Sequence, residues 1–469
     1  MTIENLTLFT RSLVEKNTTV LFGAGASATY FSSLNNFEML LTNSKISEEG
    51  KALVKLAFFY TSIKNNVFLS KYINDEKWNH EYEKEMELTL NQYTRFLHNI
   101  IEYLKIRNSR ISPRRVNIVT TNYDLFIESA ADKILQKNPR IFFNDGTNGY
   151  GRRILNADNF NKTMLYSGVF DNYASEMPCV NLIKCHGSVN WVEHSINEGV
   201  SKIQVLLKNK KFENLSRRVV KFVQEFNKKD NHESHQKLFD SFIERINDTL
   251  ADEEYLVEFI NQQASNLETN EISELQKISN ELYQLQIVWP TKEKFEQTLI
   301  QEHYFNMLRL VSYELEKEQS LLIVFGFSFD DEHIRAVVQR SLNNPNLIVI
   351  IFCYRDSDKD LIMSNFNFTD NSIPINVKFI IPSDFLVKSI KKEKFEGERE
   401  NIDGEYIIII DGEFVYQYAP FVSKICVKDL DGNKKDEPVI DFESLNKILE
   451  QKIDHKFKVD IKKERDQNE

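Results

Sequence analysis

Cysteine is scarce in this chain, whose 469 residues include only Cys179, Cys185, Cys353 and Cys426. None of them forms a Cys-x-x-Cys pair, which argues against a zinc ribbon. So few cysteines in a chain of this length also fit a reducing compartment and give no basis for a disulfide framework. We therefore expect a cytoplasmic protein that contains no metal.

Long apolar runs and an excess of basic charge are missing as well. The longest apolar runs, LLIVFGF at 321–327 and LIVIIFCY at 347–354, are well short of the roughly 20 residues that cross a bilayer. The start of the chain carries acidic residues and lacks the apolar centre of a secretion signal. The formal net charge of −11 argues against an electrostatic groove for nucleic acid. We expect neither membrane association nor direct nucleic-acid binding.

Short apolar runs rich in β-branched residues recur between long amphipathic stretches. They are TTVLF at 18–22, VNIVT at 116–120, CVNLIK at 179–184, LLIVF at 321–325, LIVIIF at 347–352 and the weaker NVKFII at 376–381. Strands that are continuously apolar, rather than alternating, indicate a sheet that is covered on both faces. The sequence therefore predicts an α/β protein with a Rossmann-like, mostly parallel sheet and helices on both faces.

Two regions depart from this alternation of strands and helices. Residues from about 195 to 285 are charged, poor in glycine and helical in periodicity, which predicts a helical insertion in a domain spanning 1–385. The composition changes again at 386–469. There, EYIIIIDGEFVYQY at 405–418 predicts a β-hairpin with Asp411-Gly412 as its tight turn. The last residues, KKERDQNE, predict a disordered tail.

Four of the predicted strands run directly into small or polar residues. These segments are GAGAS at 23–27, TNYD at 121–124, HGS at 186–188 and GFS at 326–328. In open parallel sheets, ligands bind just beyond the carboxyl ends of the strands, near the switch in strand order. The glycines of GAGAS permit a tight turn and a close backbone approach to phosphate, although the motif alone also fits a plain strand-to-helix turn. We predict that the four segments form one site.

In this order, GAGAS, TTNYD, a lone HG and GFSF together resemble the sirtuin superfamily. The resemblance covers roughly residues 10–385, interrupted by the insertion. It implies that His186 is a general base on a ribose hydroxyl, and that Asn122 and Asp124 order the ribose, the attacking water and the nicotinamide. Histidine suits this role because its usual pKa of about 6.5 allows proton exchange near neutrality. The residues that the resemblance implies as NAD contacts are Gly23, Ala24, Gly25, Ser27, Thr121, Gly326 and Ser328.

Structural alternatives stay open for the same residues. A histidine at a strand end can be a satisfied structural residue, Asn122 can be a capping residue, and Asp124 can be a helix N-cap. Ser188 fits a hydrogen bond to the local backbone better than it fits catalysis.

The departures from the family pattern are informative. Protein deacetylases of the family carry a four-cysteine zinc module between the HG motif and the G-x-S loop, and this chain has no cysteine in that stretch. The family arginine after GAGxS has no match in ATYFSSLNNFEMLL at 28–41, and FCYRD at 352–356 leaves the adenine-ribose contacts unassigned. The chain looks closer to bacterial sirtuin-like defence effectors, which hydrolyse NAD.

The resemblance therefore implies an NAD glycohydrolase that depletes NAD in antiphage abortive infection, with NAD as substrate. An NAD-dependent protein deacylase and a non-catalytic nucleotide-sensing module of a larger complex remain alternatives. Zinc-free effectors of this length are similar to those encoded beside HerA-type hexameric ATPases or prokaryotic Argonautes. We accordingly expect a homo-oligomer that is activated by a partner of this kind.

Overall fold

A computed structural model describes residues 3–31, 36–74, 76, 83–108, 112–167, 174–197, 200–228, 238–248, 251–290, 302–369, 371–392, 406–428 and 434–450. The predicted tail at 462–469 lies outside these residues. None of the helices in the described ranges is long and apolar enough to cross a membrane.

The secondary structure alternates strands and helices through most of the chain. The α-helices are α1 (Ile3–Glu15), α2 (Phe37–Thr42), α3 (Glu48–Ser62), α4 (Asn66–Ile73), α5 (Glu83–Ile106), α6 (Phe126–Leu135), α7 (Lys210–Asn227), α8 (Leu238–Ile246), α9 (Glu253–Ser265), α10 (Thr269–Tyr283), α11 (Glu302–Glu316), α12 (Glu332–Ser341), α13 (Asp356–Asn365) and α14 (Phe442–Glu450). Single turns of 3₁₀ helix lie at Ala24–Ser27, Ala157–Asn161 and Pro382–Phe385.

The strands are numbered in the same way, in chain order. They are β1 (Asn17–Phe22), β2 (Arg115–Thr120), β3 (Phe142–Asn144), β4 (Thr147–Asn148), β5 (Ile154–Leu155), β6 (Leu165–Ser167), β7 (Ala174–Glu176), β8 (Cys179–Lys184), β9 (Trp191–Asn197), β10 (Val200–Val205), β11 (Ser320–Phe325), β12 (Ile348–Phe352), β13 (Val377–Ile380), β14 (Leu386–Lys391), β15 (Ile407–Asp411), β16 (Phe414–Tyr418), β17 (Ser423–Lys428) and β18 (Lys434–Val439).

Seven parallel strands form the central sheet, in the order β13-β12-β11-β1-β2-β8-β3. All six predicted strands belong to it, and the predicted Rossmann-like α/β fold is confirmed. The chain adds β2 on one side of β1 and later returns to place β11 on the other side. This reversal makes the boundary between β1 and β11 the switch point of the sheet.

Alternate residues of the strands enter two hydrophobic cores, one on each face of the sheet. On β1, Val20 and Phe22 pack into a core that also contains residues of α3, α5, α6 and α14. Leu21, which points the other way, packs into a core with residues of α11, α12 and α13. Burial on both faces explains why the strands are continuously apolar in sequence.

Strand register aligns the carboxyl ends of six strands at one level. The last residue of each strand pairs with the last residue of its neighbour, along the row Lys184, Thr120, Phe22, Phe325, Phe352 and Ile380. The segments that follow these residues therefore leave the sheet at the same edge. The register is what brings the four polar segments identified in the sequence to one side of the molecule.

The helical part of the insertion begins later in the chain than the sequence predicted. Residues of β9 and β10 pair as an antiparallel hairpin, and the helices begin at Lys210 with α7. Helices α7, α9 and α10 then pack against α3, so the insertion extends the core on one face of the sheet. The sequence did not predict this hairpin because its short strands, WVEHSIN and VSKIQV, mix polar and apolar residues without a clear period.

The C-terminal region contains the expected hairpin, formed by β15 and β16 in a three-stranded sheet with β14. Its two-residue loop is Gly412-Glu413, one position later than expected, and Gly412 has the positive φ of 57° that such loops favour. Helix α14 belongs to the core of the α/β domain. Phe442 at its start packs against Phe22 and Phe325, with ring centroids 5.6 and 5.2 Å apart.

The burial of His303 predicts a pH-dependent contribution to stability. Its ring lies 4.1 Å from that of Tyr304 and 6.1 Å from that of Trp191, and burial lowers the pKa of His303 to about 4. In the unfolded chain His303 binds a proton near pH 6.5, whereas in the folded protein it binds one only near pH 4. This contribution to stability is complete above pH 6.5 and is lost as the pH falls through about 4.

We expect the wild-type protein to lose about 3 kcal/mol of unfolding free energy, relative to His303→Gln, between pH 7 and pH 4. Urea denaturation of both proteins at the two pH values measures this difference. Parallel pH dependence of the two proteins would contradict a lowered pKa of His303 in the folded protein.

Candidate functional site

The loops that follow β1 and β11 pack backbone against backbone at the switch point. The Gly25 N–H donates to the carbonyl oxygen of Gly326 over 2.9 Å, and the Gly23 N–H donates to that of Phe325 over 3.1 Å. Gly326 has a φ of 65°, and a Cβ added there would lie 2.5 Å from the nitrogen of Ala26. Glycine is therefore required at this position both by conformation and by space.

The segment after β1 differs from a Rossmann phosphate loop. Residues 24–27 make a single turn of 3₁₀ helix, and residues 28–31 continue as turn and bend rather than as α-helix. Ala24 and Gly25 are exposed at the edge of the sheet, whereas Gly23 and Ser27 are buried. The surface that this loop offers to a ligand is thus the backbone around Ala24 and Gly25.

Ser27, Asn122 and Asp124 form one buried hydrogen-bond cluster, which joins the β1 and β2 loops. The Ser27 hydroxyl donates to Asp124 Oδ2 over 2.8 Å and lies 2.9 Å from the hydroxyl of Tyr93. The Asn122 side-chain amide donates to the Gly23 carbonyl over 3.0 Å. Asp124 Oδ1 also accepts the N–H of Phe126 at the start of α6 over 3.1 Å. Asp124 therefore binds the first N–H of α6, but it precedes the N-cap residue, which is Leu125 and not Asp124 as the structural alternative had it.

Burial raises the pKa of Asp124, while the Lys184 charge and the hydrogen bonds from Ser27, Phe126 and Asn122 oppose the rise. Asp124 is 6% exposed, and its carboxylate accepts hydrogen bonds from Ser27 and from the Phe126 N–H. In this arrangement Asp124 orders the loop that carries Asn122, and the Ser27 hydroxyl is directed at Asp124.

Lys184, the last residue of β8, joins the β2 and β8 loops from inside the protein. Its ammonium group lies 2.7 Å from Glu128 Oε1 on α6 and donates to Ser188 Oγ over 2.9 Å. It also donates to the backbone carbonyl oxygen of Asp124. Burial raises the pKa of Glu128, and the adjacent Lys184 opposes this effect. The charge of Lys184 therefore holds two of the four segments against each other.

The His186-Gly187 turn is fixed by the segment that follows the insertion. Gly187 has a φ of 82°, and an added Cβ would overlap the carbonyl oxygen of Gln286. The same carbonyl accepts the N–H of Ser188 over 3.1 Å, and the N–H of Val288 donates to the His186 carbonyl over 2.9 Å. The segment that directly follows the insertion therefore fixes the backbone of His186.

The side chain of His186 contacts the region after β11. Its Nε2 atom lies 3.3 Å from Asp331 Oδ2, and both side chains are 7% exposed. Asp331 Oδ1 accepts the N–H groups of His333 and Ile334, each over 3.1 Å, and so caps α12. One oxygen of the Asp331 carboxylate therefore caps α12, and the other lies beside the His186 imidazole.

The predicted site residues fall into two groups. Ser27, Asn122 and Asp124 lie together, and they are joined to the glycines of the switch point through the Gly23 carbonyl. His186 is linked to Asp331 instead. Two further predicted contacts have local partners. The Thr121 N–H donates to the Phe22 carbonyl over 3.3 Å, and the Ser328 hydroxyl donates to Asp330 over 2.6 Å.

Four members of the site were not among the predicted site residues, namely Tyr93, Glu128, Lys184 and Asp331. Lys184 left a signal, because a lysine that ends the otherwise apolar run CVNLIK needs a buried counter-charge or an exit to solvent. Glu128 left a weaker one, as an acid on the apolar side of α6. Tyr93 is one of several aromatic residues on α5, and only the fold reveals its contact with Ser27.

No protein-family model matches the chain, and the curated proteins contain no match either.

The ion pair between Lys184 and Glu128 gives a stability prediction. Lys184→Met strands a carboxylate that burial already disfavours, so we expect a loss of about 3–5 kcal/mol in unfolding free energy. The double variant Lys184→Met/Glu128→Met removes both members of the ion pair and should recover part of this loss, although Asp124 still lacks the Lys184 charge. Urea denaturation near neutral pH measures both.

The matched control is Lys424→Met, which removes the partner of Asp436 in a largely exposed pair. It should change the unfolding free energy by no more than about 1 kcal/mol. If Lys184→Met behaves like this control, the buried pair is not a structural anchor.

Proposed function

We propose that the protein is an NAD glycohydrolase, which cleaves NAD to nicotinamide and ADP-ribose. The observation that carries this proposal is the close contact of the β1 and β11 loops at the switch point, through the Gly25–Gly326 hydrogen bond. Dinucleotides bind at this place in doubly wound parallel sheets. The Asn122 and His186 segments leave the sheet at the same level, which supports a single site for binding and chemistry.

The chain's own residues suit parts of such a ligand unequally. The exposed backbone at Ala24 and Gly25 permits close approach of a pyrophosphate, as glycine-rich loops do. Ser27 is 2% exposed and donates to Asp124, so we assign it to support of this loop rather than to the phosphate itself. Thr121, Gly326 and Ser328 line the same edge and are proposed as further contacts.

In the proposed reaction, the bond between ribose C1′ and the nicotinamide nitrogen breaks, and its electron pair leaves on neutral nicotinamide. A water oxygen bonds to C1′ and one proton is released. His186 accepts the proton of a ribose hydroxyl, which disperses the positive charge that develops at C1′, and returns it to that oxygen once water has bonded to C1′. Asn122 orders the water and the ribose, and Asp124 holds Asn122 in place. The contribution of Asn122 is one of orientation.

Release of nicotinamide from NAD alone tests this function. We expect the purified chain, together with any activator, to produce nicotinamide and ADP-ribose without an acyl-peptide. Turnover that requires an acyl-peptide would instead establish the deacylase. Binding of NAD with no turnover in any activation state would establish a nucleotide-sensing module.

The role of His186 is tested by comparison of this buried histidine with the partly buried His303. His186→Ala should lower kcat by at least about 10²-fold, the usual contribution of general-base catalysis. NAD affinity and melting temperature should change little. His303→Ala, which removes a partly buried imidazole that packs on Tyr304, should retain turnover in proportion to the folded protein. Asn122→Ala should resemble His186→Ala.

A structural His186 would give the opposite result. The melting temperature of His186→Ala would fall, and the remaining activity would follow the folded fraction. Near-normal turnover by folded His186→Ala would end the proposed mechanism.

As part of the same proposal, the enzyme acts in the cytoplasm, where depletion of NAD would abort phage infection. Such an activity must be restrained, so we propose a homo-oligomer gated by a partner such as a HerA-type ATPase or a prokaryotic Argonaute. Sedimentation with an NAD assay tests this. A monomer that hydrolyses NAD at its full rate without a partner would refute it.

A further inference from the structure

Asp331 has a second role that its cap of α12 does not require. Its Oδ1 atom satisfies the first N–H groups of the helix, those of His333 and Ile334. Its Oδ2 atom lies 3.3 Å from Nε2 of His186, on a segment 145 residues earlier in the sequence. A serine or an asparagine would cap the helix equally well. Neither of them would place a negative charge beside the imidazole.

The Asp331 charge acts on two other buried or partly buried groups, Cys185 and Tyr123. Burial, and after it the Asp331 charge, raises the pKa of the Cys185 thiol. Burial, then the Asp331 charge and then the Glu38 charge raise the pKa of the Tyr123 hydroxyl. Both groups therefore remain protonated around the carboxylate. With both partners 7% exposed, water screens the pair weakly.

We propose that Asp331 is a positioning residue for His186, which orients the imidazole and stabilises the positive charge that it gains as a base. This inference rests on the proposed function. When a ribose hydroxyl gives up its proton, the O–H bond breaks and an N–H bond forms at Nδ1, while Nε2 lies 3.3 Å from Asp331 Oδ2. The carboxylate stays ionised and accepts no proton, and the new imidazolium is neutralised where it forms.

Two substitutions separate this role from the helix cap. Asp331→Asn keeps the cap and the shape of the side chain but removes the charge. Asp331→Ser keeps the cap with a side chain too short to reach His186. We expect each to lower kcat for NAD by at least about tenfold, with nearly unchanged NAD affinity and melting temperature.

A matched control removes a helix cap far along the chain from the pair. Ser47→Ala deletes the side chain that accepts the Gly50 N–H over 3.1 Å at the start of α3. It should lower the melting temperature while kcat of the folded protein stays at the wild-type value. Wild-type kcat in both Asp331→Asn and Asp331→Ser would overturn the inference and leave the proposed function intact.

NMR spectroscopy of the His186 ring nitrogens gives a measurement that does not depend on catalysis. The two resonances are assigned by their loss in His186→Ala. Asp331 should fix one tautomer in the wild type, so Asp331→Ser should shift both resonances. Ser47→Ala should leave them unchanged. If the protein does not hydrolyse NAD, the proposed function fails. The NMR comparison would still test the pairing of His186 with Asp331, because unchanged resonances in Asp331→Ser would overturn it.

Discussion

The in-register parallel pairing of the central strands is the constraint on which the candidate site depends. Because the pairs Lys184–Thr120, Thr120–Phe22 and Phe22–Phe325 are aligned, the segments that follow leave the sheet at one level. A slip of one residue in any strand would also move its apolar side chains to the opposite face. The two cores therefore fix the register, and the register fixes the site.

The four segments at this edge are connected in a ring. The β1 and β11 loops share the Gly25–Gly326 hydrogen bond, and the β1 and β2 loops share the Asn122 and Asp124 contacts. The β2 and β8 loops are joined by Lys184, and the β8 segment returns to β11 through His186 and Asp331. Each segment contacts the next, so a substitution at one segment acts on its neighbours as well. Such preorganisation is what an oriented reaction requires, and it also makes structural and catalytic effects difficult to separate without matched controls.

Much of the fold could be predicted from the sequence because burial on both faces leaves a direct record in composition. The run CVNLIK corresponds residue by residue to β8, and LIVIIF differs from β12 by a single position. The hairpin at 191–205 was not predicted because its strands mix polar and apolar residues without a clear period. Helix α14 was not recognised as part of the main core, since its packing partners, Phe22 and Phe325, lie far away in the chain.

By itself, the sequence determined the fold class, the parallel strands and the coincidence of polar residues at their carboxyl ends. These features are local, because each strand and each loop carries its own pattern of apolar, small and polar residues. Only the tertiary structure decided the partner of each polar side chain. Ser27 and Asp124 bond to each other, and His186 lies beside Asp331, because strand order and register bring distant segments within hydrogen-bonding range. Hydrogen bonds and ion pairs depend on ångström-scale distances between such segments, and no local sequence pattern encodes those distances.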